Sequence, residues 1–210
     1  MDARFVATAF ATAFTIIDPI GMIPMTLGST ARVSPQRRNQ IIDQAVIVAA
    51  GIILFMGVVG RLILDYLGIT LPAFTIAGGV LLFLIAIDML FARPTGAKRT
   101  DAEEREAAEG ENPAVFPLAV PMIAGPGTIA TVLLLVNFSR GDRVDLLVVA
   151  AAYAVALFVT WLCMRGSSML LRIIGKTGIH VISRLLGIIL AALAVQFVLN
   201  GLAQTPLIRH

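Results

Sequence analysis

Apolar positions along the chain gather into six runs, at about 5–30, 41–64, 71–91, 114–138, 144–164 and 185–203. Each approaches or exceeds the roughly 20 residues that a helix needs to cross a hydrocarbon core. A bilayer offers no water to unpaired N–H and C=O groups, so each run is expected to be helical. Two runs carry residues that oppose this. The first contains TIIDPIGMIP (15–24) and the fourth PLAVPMIAGPGT (117–128). Pro19 removes the helical donor to the Thr15 carbonyl and Pro24 the donor to Ile20, with Gly21 between them. Pro121 and Pro126 do the same to Pro117 and Met122, with Gly125 and Gly127 flanking Pro126. Both helices are predicted to break near the middle of the membrane.

After each break the sequence reads as a helix start, with Asp18 or Gly125 at the N-cap and Pro19 or Pro126 at the first helical position. Each restarted half-helix would present N–H groups and the positive end of its dipole near the midplane. The two starts differ in chemistry. Asp18 can cap Ile20 and Gly21 with its own carboxylate, whereas Gly125 has no side chain and leaves the N–H groups of Gly127 and Thr128 to a ligand. A small zwitterion could bridge them, its carboxylate on Gly127 and Thr128 and its ammonium near Asp18 and the released carbonyls. Asp18, Pro19, Gly21, Gly125, Pro126, Gly127 and Thr128 are the candidate substrate-binding residues. A charge at mid-membrane costs at least about 2.5–3.5 kcal/mol, so Asp18 should face protein or a water-filled cavity. The competing account is that the prolines only kink packed helices and Asp18 is a satisfied cap.

Composition fits a polytopic membrane protein: 58% of the 210 residues are hydrophobic and 14% charged, with a mean hydropathy of +0.92. The net charge of +3 is not a nucleic-acid footprint, because the basic residues sit in the connections. Eleven lie on one side of the six runs (Arg32, Arg37, Arg38; Arg93, Lys98, Arg99, Arg105; Arg165, Arg172, Lys176, Arg184). Five lie on the other (Arg4, Arg61, Arg140, Arg143, Arg209). The excess should face the cytoplasm, putting both termini outside it. The first run is too long for a signal peptide's apolar core and is expected to be retained. The connection 93–112, with AKRTDAEEREAAEGEN, is expected to be a charged cytoplasmic loop between two three-helix halves, 1–92 and 113–210. Residues 166–184, GSSMLLRIIGKTGIHVISR, read either as an interfacial helix or as an ordinary amphipathic linker.

A shift of 107 places Pro19 on Pro126, and a shift of 108 places Gly79 on Gly187 and Asp88 on Gln196. With three crossings in each half, duplicated halves would have opposite orientation, the inverted-repeat plan of many secondary transporters. Asp88 reads as an ion-paired helix end near Arg93, or together with Gln196 as a coupling or gating element for a proton or sodium ion. Asn137 and Asn200 read as polar glue, and the Ala45/Ala49 and Ala150/Ala154 spacings as sites of close helix approach. Cys163 is the only cysteine. No P-loop, dinucleotide fingerprint, zincin helix or nucleophile-base pair is present, so no enzymatic activity, cofactor or metal is expected.

IIDPIGMIP, AGGVLLFLIAIDML, PLAVPMIAGPGTI and GKTGIHVISRLLGIILAALAVQFV together resemble the MarC family of bacterial integral membrane proteins, over nearly the whole chain. The resemblance implies an inner-membrane protein with six crossings, related in architecture to LysE-type exporters. In some relatives it implies transport of small neutral amino acids such as glycine and alanine. The family pattern has an acid or its amide at the position of Asp18, which argues against obligatory proton carriage there. The expected partners are membrane lipid, a small substrate and a coupling ion, with homo-oligomer formation open. A scaffold or regulatory protein, or a channel, remains the alternative to a transporter.

Overall fold

The computed structural model describes residues 3–31, 33–91, 113–139 and 141–205, and the expected charged loop lies outside them. The regular elements among the described residues are all helices: α1 (Ala3–Ile17), α2 (Met22–Ser29), α3 (Pro35–Tyr66), α4 (Leu71–Phe91), α5 (Ala114–Ile123), α6 (Pro126–Phe138), α7 (Arg143–Arg165) and α8 (Ser167–Ala203). Five stretches are long and apolar enough to cross a membrane: Ala3–Ser29, Pro35–Gly60, Pro72–Phe91, Arg143–Arg165 and Thr177–Ala203. α5 and α6, bent by 51° at their junction, pass the same measure only as a pair, as one broken span or a re-entrant loop.

Helix ends follow capping chemistry more closely than hydropathy. The second run begins at 41 in hydropathy, but α3 starts at Pro35, where the Ser34 hydroxyl accepts the Arg37 N–H at 3.3 Å. The polar turn 37–40 is helix beyond the apolar slab. Similarly, Asp142 Oδ1 accepts from Val144 and Asp145 N–H at 2.7 and 3.3 Å to start α7. The last helix begins at Ser167 rather than 185 and is interrupted at Gly175, whose φ of 71° suits a residue without a side chain. Residues 167–174 are helical, with Met169 and Ile173 largely exposed.

The fourth run departs furthest from expectation. A regular helix broken near Gly125 was predicted. Instead α5 is itself irregular, because Phe116 and Val120, each followed by proline, lie in extended conformation (φ −128°, ψ 121° and φ −127°, ψ 129°). A proline ring crowds the residue before it out of the helical region, and two prolines four residues apart do so twice.

The core is built on two kinds of pairing. α1 packs on α7 and α3 on α5, while α2 packs on α8 and α4 on α6. The closest association is the antiparallel seam of α4 with α8. Glycine lets it close: a Cβ at Gly79 would stand 2.8 Å from the Ala194 carbonyl oxygen, and one at Gly187 2.9 Å from the Met89 Cβ and 3.3 Å from the Ala86 carbonyl oxygen. Without water to drive association, such close van der Waals packing holds membrane helices together.

Gly79→Ala and Gly187→Ala are therefore expected to lower stability by about 1–3 kcal/mol through overpacking. Gly51→Ala, whose added methyl meets nothing within 4 Å, should leave it unchanged or raise it by about 0.5–1 kcal/mol. Thermal melting of the purified variants in one detergent measures both.

Candidate functional site

The first break is a tight turn centred on Asp18, which is 5% exposed. Its φ of 51° is left-handed, a conformation that L-residues other than glycine adopt mainly as Asn or Asp. That conformation stops α1, while the Asp18 N–H still donates to the Phe14 carbonyl at 3.1 Å. The same residue then opens the next element: its Oδ1 accepts the Gly21 N–H at 3.1 Å, and its carbonyl accepts the Met22 N–H at 3.1 Å. The expected cap is thus made to Gly21. α2 proper starts at Met22, with Gly21 at the N-cap, three residues later than the sequence suggested. A left-handed Asp18 turns the chain before a helix can restart at Pro19. Gly21 is required by proximity, since a Cβ there would collide with the Asp18 carboxylate. From α8, Ser183 Oγ reaches Asp18 Oδ2 at 3.5 Å.

The second break follows the sequence closely. Gly125 is the N-cap of α6 in extended conformation (φ −82°, ψ 177°), with no side-chain cap, and Pro126 is the first helical residue. Ile129 is the first N–H to be taken up, by the Gly125 carbonyl at 2.9 Å. The N–H groups of Gly127 and Thr128 precede it in the turn that has no intrahelical acceptor. The Thr128 hydroxyl is committed, donating to the Ile123 carbonyl at 2.7 Å across the break. Thr128 thus offers its backbone N–H, not its side chain, to a ligand. Gly125 lies on the Pro121 carbonyl oxygen so closely that a Cβ would overlap it.

A crevice opens at this helix end, and Gly125, Pro126, Gly127 and Thr128 all line it. Its other walls are Pro121, Met122, Ile16 of α1 and Ile85 of α4. The crevice is narrow, with room for about one water.

Asp18, Pro19 and Gly21 do not line this crevice. α1 contributes Ile16 to it, two residues before Asp18, whose carboxylate faces Gly21 and Ser183 instead. Asp88 is 9% exposed on α4, whereas Gln196 is exposed on α8 and donates to Asn200 Oδ1 at 2.8 Å. The seam sets Met89 against Gly187 and Ala194 against Gly79, so Asp88 and Gln196 stand at different levels rather than together. Asn137 donates to the Leu133 carbonyl within α6 at 2.8 Å, and Ala45 and Ala49 are fully buried. Among the described residues, no group of three His, Cys, Asp or Glu could hold a metal ion.

Several polar contacts around the site were not apparent from the sequence. Tyr153 of α7, 3% exposed, donates its phenol to Thr131 Oγ1 at 2.8 Å. Thr131 Oγ1 in turn lies 2.9 Å from the carbonyl oxygens of both Gly127 and Thr128. Together with the Thr128–Ile123 bond, this ties the first turn of α6 to α7. Further out, Asp43 of α3 binds Arg165 of α7 through both carboxylate oxygens (2.8 and 2.5 Å) and accepts the Trp161 indole N–H at 2.7 Å. The guanidinium lies over the Trp161 ring, 4.9 Å from its centroid. Polar residues spaced at helical intervals on α7 are the only sequence signal for these contacts.

The family model for MarC family integral membrane proteins matches residues 3–205. The chain belongs to the MarC family. It is 38% identical to a UPF0056 membrane protein of Archaeoglobus fulgidus, over 95% of this chain and 93% of the relative. It is 36% identical to a UPF0056 membrane protein of Methanocaldococcus jannaschii, over 96% and 98%, and 33% identical to the UPF0056 inner membrane protein YhgN of Escherichia coli K12, over 89% and 90%. No solved structure matches this member of the MarC family. It is an integral, multi-pass membrane protein, as the spans already indicate.

Tyr153→Phe should cost about 0.5–1.5 kcal/mol, the net value of one hydrogen bond. Thr131→Val, which leaves the buried phenol without its acceptor, should cost about 1–3 kcal/mol. The difference should appear as a larger drop in melting temperature for Thr131→Val.

Proposed function

We propose that this protein is a secondary transporter of a small zwitterionic metabolite, a neutral amino acid, working by alternating access around its two broken helices. The observation that carries this is the pair of breaks of opposite chemistry. α6 begins with the N–H groups of Gly127 and Thr128 beside a crevice, a place that favours a carboxylate. α1 ends beside a buried Asp18, with the Thr15 carbonyl deprived of its donor by Pro19, which favours an ammonium group. Ile16 connects the two, lying just before Asp18 and on the crevice wall.

Reciprocal packing supports two inverted repeats. A shift of 108 relates the caps Ser34 and Asp142, and a shift of 107 relates the left-handed glycines Gly68 and Gly175. Under the 108 shift Gly79 corresponds to Gly187, Ala86 to Ala194 and Leu90 to Val198. Gly79 faces Ala194 and Val198, and Gly187 faces Ala86 and Leu90. Each contact is the image of the other, as a two-fold axis between α4 and α8 requires. The pairing of α1 with α7 and of α3 with α5, and of α2 with α8 and of α4 with α6, follows the same rule. With the arginine and lysine excess in the cytoplasm, both termini lie on the opposite side.

Proteoliposomes loaded with the purified protein should take up or exchange a small neutral amino acid saturably. Gly125→Ala, which drives a methyl into the Pro121 carbonyl, is expected to reduce this at least tenfold. Asp18→Asn separates charge from capping, because asparagine also caps: a drop in uptake with an unchanged melting temperature would make the charge functional. Linear, non-saturating flux would identify a channel, and no flux of any amino acid would end the substrate assignment.

A further inference from the structure

We propose that the terminal methyl groups of Ile16 and Ile85 set the upper size limit of the ligand held at the α6 helix end. The inference rests on the transporter function above and concerns which residues choose among its substrates. A carboxylate on the Gly127 and Thr128 N–H groups leaves the rest of the molecule projecting into the crevice. The atoms nearest Gly127 there belong to two isoleucines from two different helices. A Cβ built on Gly127 would stand 2.5 Å from Ile85 Cδ1 and 2.9 Å from Ile16 Cδ1. Both side chains are almost completely buried, at 1% and 2% exposure, and β-branching leaves them few alternative rotamers. The remaining walls named above are apolar or backbone, so a charged ligand side chain would lose its water without gaining a partner. Size, rather than hydrogen bonding, is then what this end of the site can discriminate. As it stands the crevice holds about one water, less than any amino acid, so the limit acts when alternating access opens it.

Because the contact is made by the δ-methyl, Ile85→Val and Ile16→Val remove the relevant atom and little else, a change that cores tolerate. The test is uptake by proteoliposomes of a series lengthened one carbon at a time: glycine, alanine, 2-aminobutyrate, norvaline. In each valine variant the preference for alanine over 2-aminobutyrate should fall by about 10-fold or more, within the 10–200-fold that one methylene is worth in an apolar pocket. Ile188→Val, on the exposed face of α8, should leave the preference unchanged. Gly127→Ala should abolish uptake, and the Gly127→Ala/Ile85→Val double variant should recover part of it, because the second change removes the nearer of the two atoms the new methyl meets. Unaltered preference in both valine variants, alongside saturable uptake by the parent protein, would overturn the size limit and leave the transporter standing. Absence of amino-acid uptake by the parent protein would overturn both.

Discussion

The requirement that backbone polar groups be satisfied without water governs this molecule. Within hydrocarbon an uncovered N–H or C=O costs several kcal/mol, yet the sequence puts prolines at 19, 117, 121 and 126 inside two membrane-crossing runs. Such breaks are tolerable only if protein surrounds them. The structure meets the demand by burying Asp18, Pro19, Pro121, Ala124 and Gly125 and by bonding across each interruption. Asp18 serves the first and Thr128 the second. The remaining helices can be read as the walls that keep lipid away from these two places.

This explains why the most intimate packing lies away from the breaks. α4 and α8 meet through glycines and alanines and approach to backbone contact, forming a stiff partition. The broken helices are packed on either side of it, α2 against α8 and α6 against α4. Large exposed apolar side chains on α3, such as Leu54, Val58 and Leu62, are what a lipid-facing surface should carry. Tyr153, reaching from α7 to Thr131, and the Asp43–Arg165–Trp161 cluster, joining α3 to α7, add directional bonds where dispersion alone would allow sliding.

In the proposed inverted repeat the two halves share a plan but not a chemistry. Where the first half places an aspartate, the second places a glycine. Where Ser183 of α8 approaches the first break, threonines and a tyrosine secure the second. Under the proposed function, the opposite chemistry of the two breaks is what would orient a dipolar molecule.

The membrane class, the long apolar helices, the positions of both breaks and the open helix start at Gly125 were all legible in the sequence. Each depends on local properties: hydropathy over about 20 residues, missing proline donors and side-chain chemistry at a cap. The left-handed conformation of Asp18, the irregular course of α5 and the extension of α3 beyond its apolar run were not read in advance. Hydropathy marks the membrane slab and not the helix, and an aspartate can cap a helix or stop one with the same side chain. Ile16, Ile85, Thr131 and Tyr153 carry no sequence signal of function, because an isoleucine on a crevice wall looks like any other core isoleucine. Their place beside the site follows from which helices meet at the α6 end, and only tertiary packing decides that.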